Sequence, residues 1–310
     1  MSWRDAFSDS EVATSQQLLA LISRKQLRTL VLRGQLIRVQ HGIYAAAAPD
    51  HLSRLAAMDL RTGERTVACM NTAAALYGFD TDPDDLLHIL DPGVRIRPTA
   101  EVMVHQRVGA PLRVVGHRLA TAPAWTAVEM ARTLRRPRAL AMLDAALGSG
   151  WCAVADLASA VAEQKGRRGI VTVRKLLQHA DGRAESPMES EARLVFIDGG
   201  LPMPELQFEI IDRQGKLWRV DFAWPAFGVV AEYESMQWHA TAEALKHDRM
   251  KVARLQEVGL TTVPLVVDDV RKRPQELVAR METLFERAAL ARRAVPRKRE
   301  VPPTYGPKSA

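Results

Sequence analysis

The amino-acid sequence predicts a multidomain α+β protein, on three observations. The chain has 310 residues, enough for two domains of roughly 100 to 200 residues, or for three if one is small. Short helical patterns near the N-terminus lead into an alternating, hairpin-like pattern. Near the C-terminus, helical and strand patterns follow one another in the order αβββαβα. The composition, 47% hydrophobic and 25% charged, is ordinary for globular proteins.

The net charge of +7 is concentrated at the two ends of the chain. Residues 15–44 contain five basic side chains and no carboxylate, and residues 291–310 contain six basic side chains and one glutamate. Each end therefore carries +5, and the rest of the chain carries −3. This distribution favours an acidic partner that contacts the ends, such as a nucleic acid.

Several classes of protein are excluded by simple features. No stretch approaches the roughly 18 apolar residues that cross a bilayer, and the first ten residues lack the pattern of a signal peptide. Cys69 and Cys152 are the only cysteines, too few for a disulfide framework or a cysteine-based zinc site. We expect a soluble cytoplasmic protein that does not bind membranes.

The N-terminal segment, residues 1–48, has the pattern of a winged helix-turn-helix. Helical patterns cover residues 3–7, 15–21 and 24–33, with Thr14 and Ser23 placed as N-caps. Gly34 follows the third helix as a C-cap that accepts positive φ. Residues 35–40 and 42–44 then alternate as a short hairpin.

The third helix is amphipathic and basic. Leu27, Leu30 and Val31 form its apolar stripe, and the basic residues lie off that stripe. If this helix enters the major groove of DNA, the candidate contacts in the helix and the wing are Arg24, Lys25, Arg28, Thr29, Arg33, Arg38 and His41. A solvated basic surface is the alternative, although such surfaces normally mix both signs of charge.

Residues 15–44 resemble the N-terminal winged-helix domain of AbiEi-type antitoxins. The similarity rests on the run from Arg28 to Val39 and on the Gly-Ile-Tyr that ends at Tyr44. The resemblance implies binding to double-stranded operator DNA, repression of the protein's own operon, and a cognate nucleotidyltransferase-like toxin as partner.

The middle segment, residues 49–184, is predicted to be a mixed helical α/β domain. Residues 72–78, Thr-Ala-Ala-Ala-Leu-Tyr-Gly, have a counterpart in the central region of AbiEi-like proteins. His88, His105 and His117 lack the spacing of metal ligands, so no metal is expected there. A scaffold that joins two functional ends is the favoured interpretation.

Residues 185–292 contain a set of carboxylates in strand patterns. After a helix at 187–199, strands are predicted at 205–212, 217–224 and 229–234, followed by a helix at 241–258, a strand at 260–267 and a helix from 274. Asp221 lies on the second strand, and Glu232 and Glu234 lie two apart on the third and share a face. Converging carboxylates suit Mg²⁺ or Mn²⁺ and phosphodiester hydrolysis.

The carboxylates of this segment also have purely structural explanations. A strand carboxylate is usually on the solvent face, although the apolar run before Glu232 predicts a buried strand in which unpaired carboxylates are costly. Ser186 and Glu189 form a capping box at the start of the helix, which by itself explains Glu189.

The αβββαβα order is that of the restriction-endonuclease-like PD-(D/E)XK core, and the motifs of residues 185–290 resemble a Vsr-like endonuclease domain. By that resemblance Asp221 and Glu232 are metal ligands, Glu189 lies near the metal, and His239 helps to activate water or hold phosphate. The chain departs from the pattern at Glu234, where members carry aspartate, and at Pro264, where members carry arginine. The general motif's lysine is absent.

Two function hypotheses involve DNA, and a third is a basic scaffold with no nucleic-acid role. The first is a DNA-binding protein with a Mg²⁺-dependent nuclease domain. The second is an AbiEi-type antitoxin and repressor whose nuclease-fold domain is catalytically inactive. Residues 293–310, basic and proline-rich, are predicted to be a disordered tail.

Overall fold

The computed structural model describes residues 2–8, 10–79, 86–93, 101–106, 109–234 and 242–294. The chain divides into two compact units, Met1–Glu191 and Ala192–Ala310. Within these described ranges, both units contain helices, and the first has two sheets and the second one, so the prediction of a multidomain α+β protein is confirmed. Among the described residues, no helix combines the length and the apolar character needed to cross a membrane.

The N-terminal part of the first unit contains short elements. They are a 3-10 helix Trp3–Phe7, β1 Val12–Thr14, α1 Ser15–Leu21, α2 Arg24–Leu32, β2 Ile37–Gln40 and β3 Ile43–Ala45. Both predicted N-caps are present: Thr14 Oγ1 accepts from the amide of Gln17 at 3.2 Å, and Ser23 Oγ accepts from the amide of Gln26 at 3.3 Å. Each glutamine side chain bonds back to the cap residue's amide at 2.8 Å, which completes a capping box.

The three strands form an antiparallel sheet in the order β1-β3-β2. The β2–β3 hairpin was predicted, but β1, only three residues long, was not. Gly34 has a φ of +66°, as predicted for the residue that ends α2. The order helix, strand, helix, helix, strand, strand is compatible with the predicted winged helix, with β2 and β3 as the wing.

The rest of the first unit is a five-stranded mixed sheet with surrounding helices. Its elements are α3 His51–Thr62, β4 Val67–Ala68, α4 Met70–Leu76, β5 Leu87–Leu90, β6 Val102–His105, β7 Leu112–Val115, β8 Arg118–Thr121, α5 Pro123–Ala131, α6 Arg136–Gly148, α7 Val154–Glu163 and α8 Ile170–Leu177. The strand order is β6-β5-β4-β8-β7. Helices α5 and α6 each have a proline in the first turn, where the missing amide is not needed.

Helix α9, Pro187–Asp198, runs from the first unit into the second. The second unit continues with β9 Glu205–Ile211, β10 Leu217–Trp224, β11 Val229–Tyr233, α10 Ala242–Glu257, β12 Thr261–Leu265, α11 Val267–Arg271 and α12 Pro274–Ala294. The sheet order is β12-β11-β10-β9, with β11 and β12 parallel and the other pairs antiparallel. The predicted order of elements is observed, and the short helix α11 was not predicted.

The sheet of the second unit explains the proline in its last strand. Pro264 pairs with Glu232 in the β11–β12 register. Strand β12 is at the edge of the sheet, the position where a residue without an amide proton is tolerated. Elsewhere in the second unit, the ring of Phe196 meets Phe222 and Trp224 edge-on, at 5.3 and 5.2 Å between centroids.

Candidate functional site

The first candidate site is the outward face of α2. Leu27 is buried and packs with Leu18 and Leu36 in the small N-terminal core. Arg24, Lys25 and Arg28 are exposed, as the apolar periodicity predicts. Positions 15–44 contain no acidic residue, so no carboxylate of this segment reduces the positive potential of the face.

The remaining predicted DNA contacts flank this face. Arg33 is the exposed C-cap residue of α2. Arg38 on β2 and His41 in the β2–β3 turn are both exposed. Thr29 differs, because its hydroxyl donates to the Lys25 carbonyl at 2.9 Å. Any contact that Thr29 makes with DNA would therefore use its methyl group or its acceptor lone pairs.

Leu32, at the end of α2, is a surface feature that the sequence pattern did not single out. Its side chain is 77% exposed. We call the exposed side chains Arg24, Lys25, Arg28 and Leu32 the α2 face.

The second candidate site is a cluster of charged side chains on β10, β11 and α10. The backbone amide of Tyr233 on β11 donates to Asp221 Oδ2 on β10 at 2.8 Å. Burial raises the pKa of Glu232, and the negative charges of Asp221 and Asp248 raise it further, while Lys251 acts in the opposite direction. These four residues are therefore close enough to interact electrostatically.

Lys251 is the functional candidate that sequence reasoning missed. Its ammonium forms an ion pair with Glu232, and both side chains are largely shielded, at 19% and 28% exposed. The general nuclease motif has its lysine on the strand, and this chain lacks it there. Lys251 comes from α10, nineteen positions along the chain from Glu232, and no local pattern links the two residues.

The backbone opposite Asp221 is strained. In the β9–β10 register, Val220 pairs with Phe208 and Phe222 with Leu206, so Gln207 lies opposite Asp221. Gln207 has a φ of +51°, which is unfavourable for a residue with a Cβ and is most often maintained at functional sites.

Two of the other predicted catalytic residues, Glu234 and Glu189, are described with local contacts. Glu234 lies just after β11, exposed, with its amide bonded to the Leu265 carbonyl at 2.8 Å. Glu189 belongs to the first unit, where its amide donates to Ser186 Oγ at 3.2 Å and its carboxylate accepts from the Glu185 amide at 2.9 Å. His239 lies outside the described residues.

Metal binding can be assessed for the described part of the chain. Within it, no group of three or more His, Cys, Asp or Glu side chains is arranged to hold a metal ion. The convergence of Asp221, Glu232 and Glu234 expected from the sequence is thus not seen, and a metal role for these residues stays a prediction. Of the three expected ligands, Asp221 and Glu232 are close enough to interact, and hard oxygen donors of this kind suit Mg²⁺ when water and phosphate complete its shell.

The sequence analysis also missed a pair of histidines that are in contact in the first unit. His88 Nδ1 on β5 lies 2.8 Å from His105 Nε2 on β6, and the rings stack at 5.1 Å between centroids. Burial lowers the pKa of His105, and the nearby His88 and Arg132 lower it further. Spacing along the chain gave no sign of the pair because the contact depends on the pairing of two parallel strands.

The chain is similar in sequence to proteins of Mycobacterium tuberculosis. It is 60% identical over 270 residues to "Uncharacterized protein Rv2248" of Mycobacterium tuberculosis (strain ATCC 25618 / H37Rv) and, to the same extent, to "Uncharacterized protein MT2308" of strain CDC 1551 / Oshkosh. These alignments cover 87% of this chain and 100% of each relative. The chain belongs to their family.

A family model adds a functional link. Residues 66–179 match the AbiEi antitoxin C-terminal domain. The matched part, which we call the AbiEi-like domain, contains the whole five-stranded sheet and helices α4 to α8. The resemblance predicted for the middle of the chain is confirmed.

The AbiEi-like domain includes neither the α2 face nor the Asp221–Glu232–Lys251 cluster. The likeness of residues 15–44 to an antitoxin winged helix therefore stays a prediction. The comparisons give no support to a Vsr-like nuclease domain in this family member.

Proposed function

We propose that this protein is a DNA-binding regulator of the AbiEi antitoxin type, and that the α2 face binds double-stranded DNA. The observation that carries the proposal is the exposed basic surface of α2, which lies in a carboxylate-free segment of thirty residues. The AbiEi-like domain that follows it supports a place among antitoxins.

The dimensions of α2 support this use. Its nine residues give a helix about 13 Å long at about 1.5 Å per residue, and a major groove about 12 Å wide admits a helix. Arg24, Lys25 and Arg28 would enter or line the groove. Arg33 at the end of the helix and Arg38 on the wing would contact phosphates, which position a protein on DNA without reading its sequence.

The AbiEi-like domain supports a second, finer proposal, that a nucleotidyltransferase-like toxin is the cognate partner. The test is genetic. A toxin gene encoded beside this protein's gene should arrest growth when expressed alone, and coexpression of this protein should restore growth. Growth arrest that persists with a folded, expressed protein would remove the antitoxin role and leave the DNA-binding role open.

Repression is tested with a reporter gene placed behind the DNA upstream of the protein's own reading frame. The wild type should repress the reporter, and Arg28→Ala with Arg33→Ala should relieve repression because two phosphate or base contacts are lost. Arg174→Ala is the matched control, since Arg174 is an exposed arginine on α8, outside the α2 face. Equal repression by all three proteins would contradict the proposal.

A DNA nuclease is the second candidate, favoured by the Asp221–Glu232–Lys251 cluster beside the strained Gln207. Asp221 and Glu232 would hold Mg²⁺ or Mn²⁺, and such an ion, when bound, acidifies water and neutralises charge on a phosphate. Lys251 would keep a positive charge next to Glu232. Incubation with plasmid DNA and Mg²⁺ or Mn²⁺ tests this candidate. Cleavage by the wild type but not by Asp221→Ala supports a nuclease, and binding without cleavage by both proteins leaves the regulator alone.

A further inference from the structure

The position of Leu32 carries an inference about DNA sequence preference. At 77%, its exposed fraction exceeds that of every other large apolar side chain in the part of the chain that the structure describes. The other apolar residues of α2, namely Leu27, Leu30 and Val31, all contribute to the N-terminal core. Single exposed leucines are common on protein surfaces, so the surroundings of Leu32 decide what it means.

Leu32 is the last residue of α2 and lies on the same side of the helix as the basic residues of the α2 face. At about 100° per residue, Arg28 and Leu32 lie about 40° and 80° round the helix from Arg24, and Lys25 lies at about 100°. In projection down the helix axis Leu32 therefore falls between Arg28 and Lys25, about one turn beyond Arg28 and about two turns beyond Lys25. A surface that served only solubility or phosphate binding would have no use for an apolar side chain there.

The end of α2 holds Leu32 in a fixed backbone conformation. The amide of Arg33 donates to the Thr29 carbonyl at 3.0 Å, and the amide of Gly34 to the Val31 carbonyl at 3.0 Å. The amide of Gln35 donates to the Leu30 carbonyl at 2.9 Å. Because the backbone is fixed on both sides of Leu32, little backbone freedom is lost when its side chain makes a contact.

We infer that Leu32 is a specificity-determining residue that contacts the C5-methyl group of thymine in the major groove. The inference rests on the proposed DNA binding by the α2 face. Thymine is the base that presents an apolar methyl group in that groove, and apolar side chains are the ones that read it. The flanking cations supply affinity that is independent of sequence, and Leu32 adds a preference for thymine at the base step that it meets.

A second copy of the chain is the other occupant that could cover Leu32. Such a contact would bring two α2 faces together, each with three cations and no acidic residue within the surrounding segment. Repulsion between like charges opposes that arrangement, whereas the phosphates of DNA favour the approach of the same face.

The experiment uses the full chain and a duplex that the wild type selects from a random-sequence library. The selected duplex is synthesised with thymine and again with uracil, which lacks only the C5-methyl group. Replacing thymine should weaken wild-type binding by about fourfold, the effect of one buried methyl group. Leu32→Met, which keeps an apolar side chain, should retain this preference, and Leu32→Ala should bind both duplexes equally. Leu60→Ala, at another exposed leucine on α3, should behave as the wild type does.

Several results would overturn the inference. One is a wild type that binds thymine and uracil duplexes equally, and another is a thymine preference that survives in Leu32→Ala. Self-association of the wild type that Leu32→Ala abolishes, seen by analytical ultracentrifugation without any thymine effect, would assign Leu32 to a second copy. If Leu32→Ala does not fold, as judged by circular dichroism, Leu32→Gln takes its place. Selection of no duplex at all by the wild type is a different result, which removes the proposed DNA binding itself.

Discussion

Lys251 on α10 forms an ion pair with Glu232 on β11, and so joins this helix of the second unit to an inner strand of its sheet. Helix α10 is also the crossover between the parallel strands β11 and β12. The ion pair therefore ties the crossover helix to β11, the strand from which the crossover starts.

Replacing Lys251 by methionine should destabilise α10. Removal of one partner leaves Glu232 as a shielded and uncompensated carboxylate, and we expect a loss of about 2 kcal/mol for this partly exposed pair. Amide hydrogen exchange of α10 measures the loss locally, which is preferable to one global value in a multidomain protein.

Lys272→Met is the matched control for this prediction. Lys272 is 71% exposed and pairs with Asp268 one helical turn away, at 3.0 Å. A surface pair of this kind contributes less than about 1 kcal/mol. If the two substitutions raise amide hydrogen exchange equally, each in its own helix, then the Lys251–Glu232 pair stabilises the fold no more than a surface pair does.

Ser23→Ala should loosen α2 without altering its charged face. Ser23 Oγ caps the amide of Gln26, and loss of an N-cap of this kind costs about 1 kcal/mol. Hydrogen exchange in the first turn of α2 should rise about fivefold, and DNA binding should weaken modestly. Ser159→Ala is the control, because that hydroxyl lies on the exposed side of α7 and bonds only to the Ala155 carbonyl in the described structure. Unchanged exchange in Ser23→Ala would show that the capping box is dispensable.

The His88–His105 pair predicts how the stability of the AbiEi-like domain depends on pH. Burial lowers the pKa of His105 from its ordinary 6.5, with His88 and Arg132 adding to the shift. The unfolded chain therefore binds a proton at higher pH than the folded one, so the free energy of unfolding falls as pH drops below 6.5. A second proton would also break the hydrogen bond between the two rings, which needs one donor and one acceptor.

Thermal unfolding at several pH values between about 5 and 7.5 measures this dependence. His105→Phe, which keeps a ring to stack on His88, should flatten the pH dependence of the AbiEi-like domain. His117→Gln should leave it as in the wild type, since His117 is exposed in the β7–β8 turn. A wild-type curve without any slope below pH 6.5 would contradict the assignment.

The fold could be predicted where the signals are local. Helix α1 and strand β10 have the predicted bounds, because caps, glycines and apolar alternation lie within or next to those segments. Strand β1 and helix α11 were missed because three to five residues hold too few positions to show a period.

The candidate sites also contain some features that local sequence patterns predict and others that they do not. Exposure of Arg24, Lys25 and Arg28 follows from helical periodicity and was predictable. The contacts of Lys251 with Glu232 and of His88 with His105 join residues that are far apart in sequence. The crossover helix α10 brings Lys251 to Glu232, and the pairing of β5 with β6 brings His88 to His105. Neither arrangement is visible in a local pattern of the sequence.

The salt dependence of binding to double-stranded DNA tests the central claim, that the α2 face binds DNA. The slope of log affinity against log salt concentration should become shallower by about 1.8 in Arg33→Ala with Arg38→Ala, the two arginines proposed to contact phosphates, at about 0.9 per lost phosphate contact. Arg174→Ala should keep the wild-type slope. Wild-type binding with the same slope in all three proteins, or no binding to double-stranded DNA at low salt, would contradict the account.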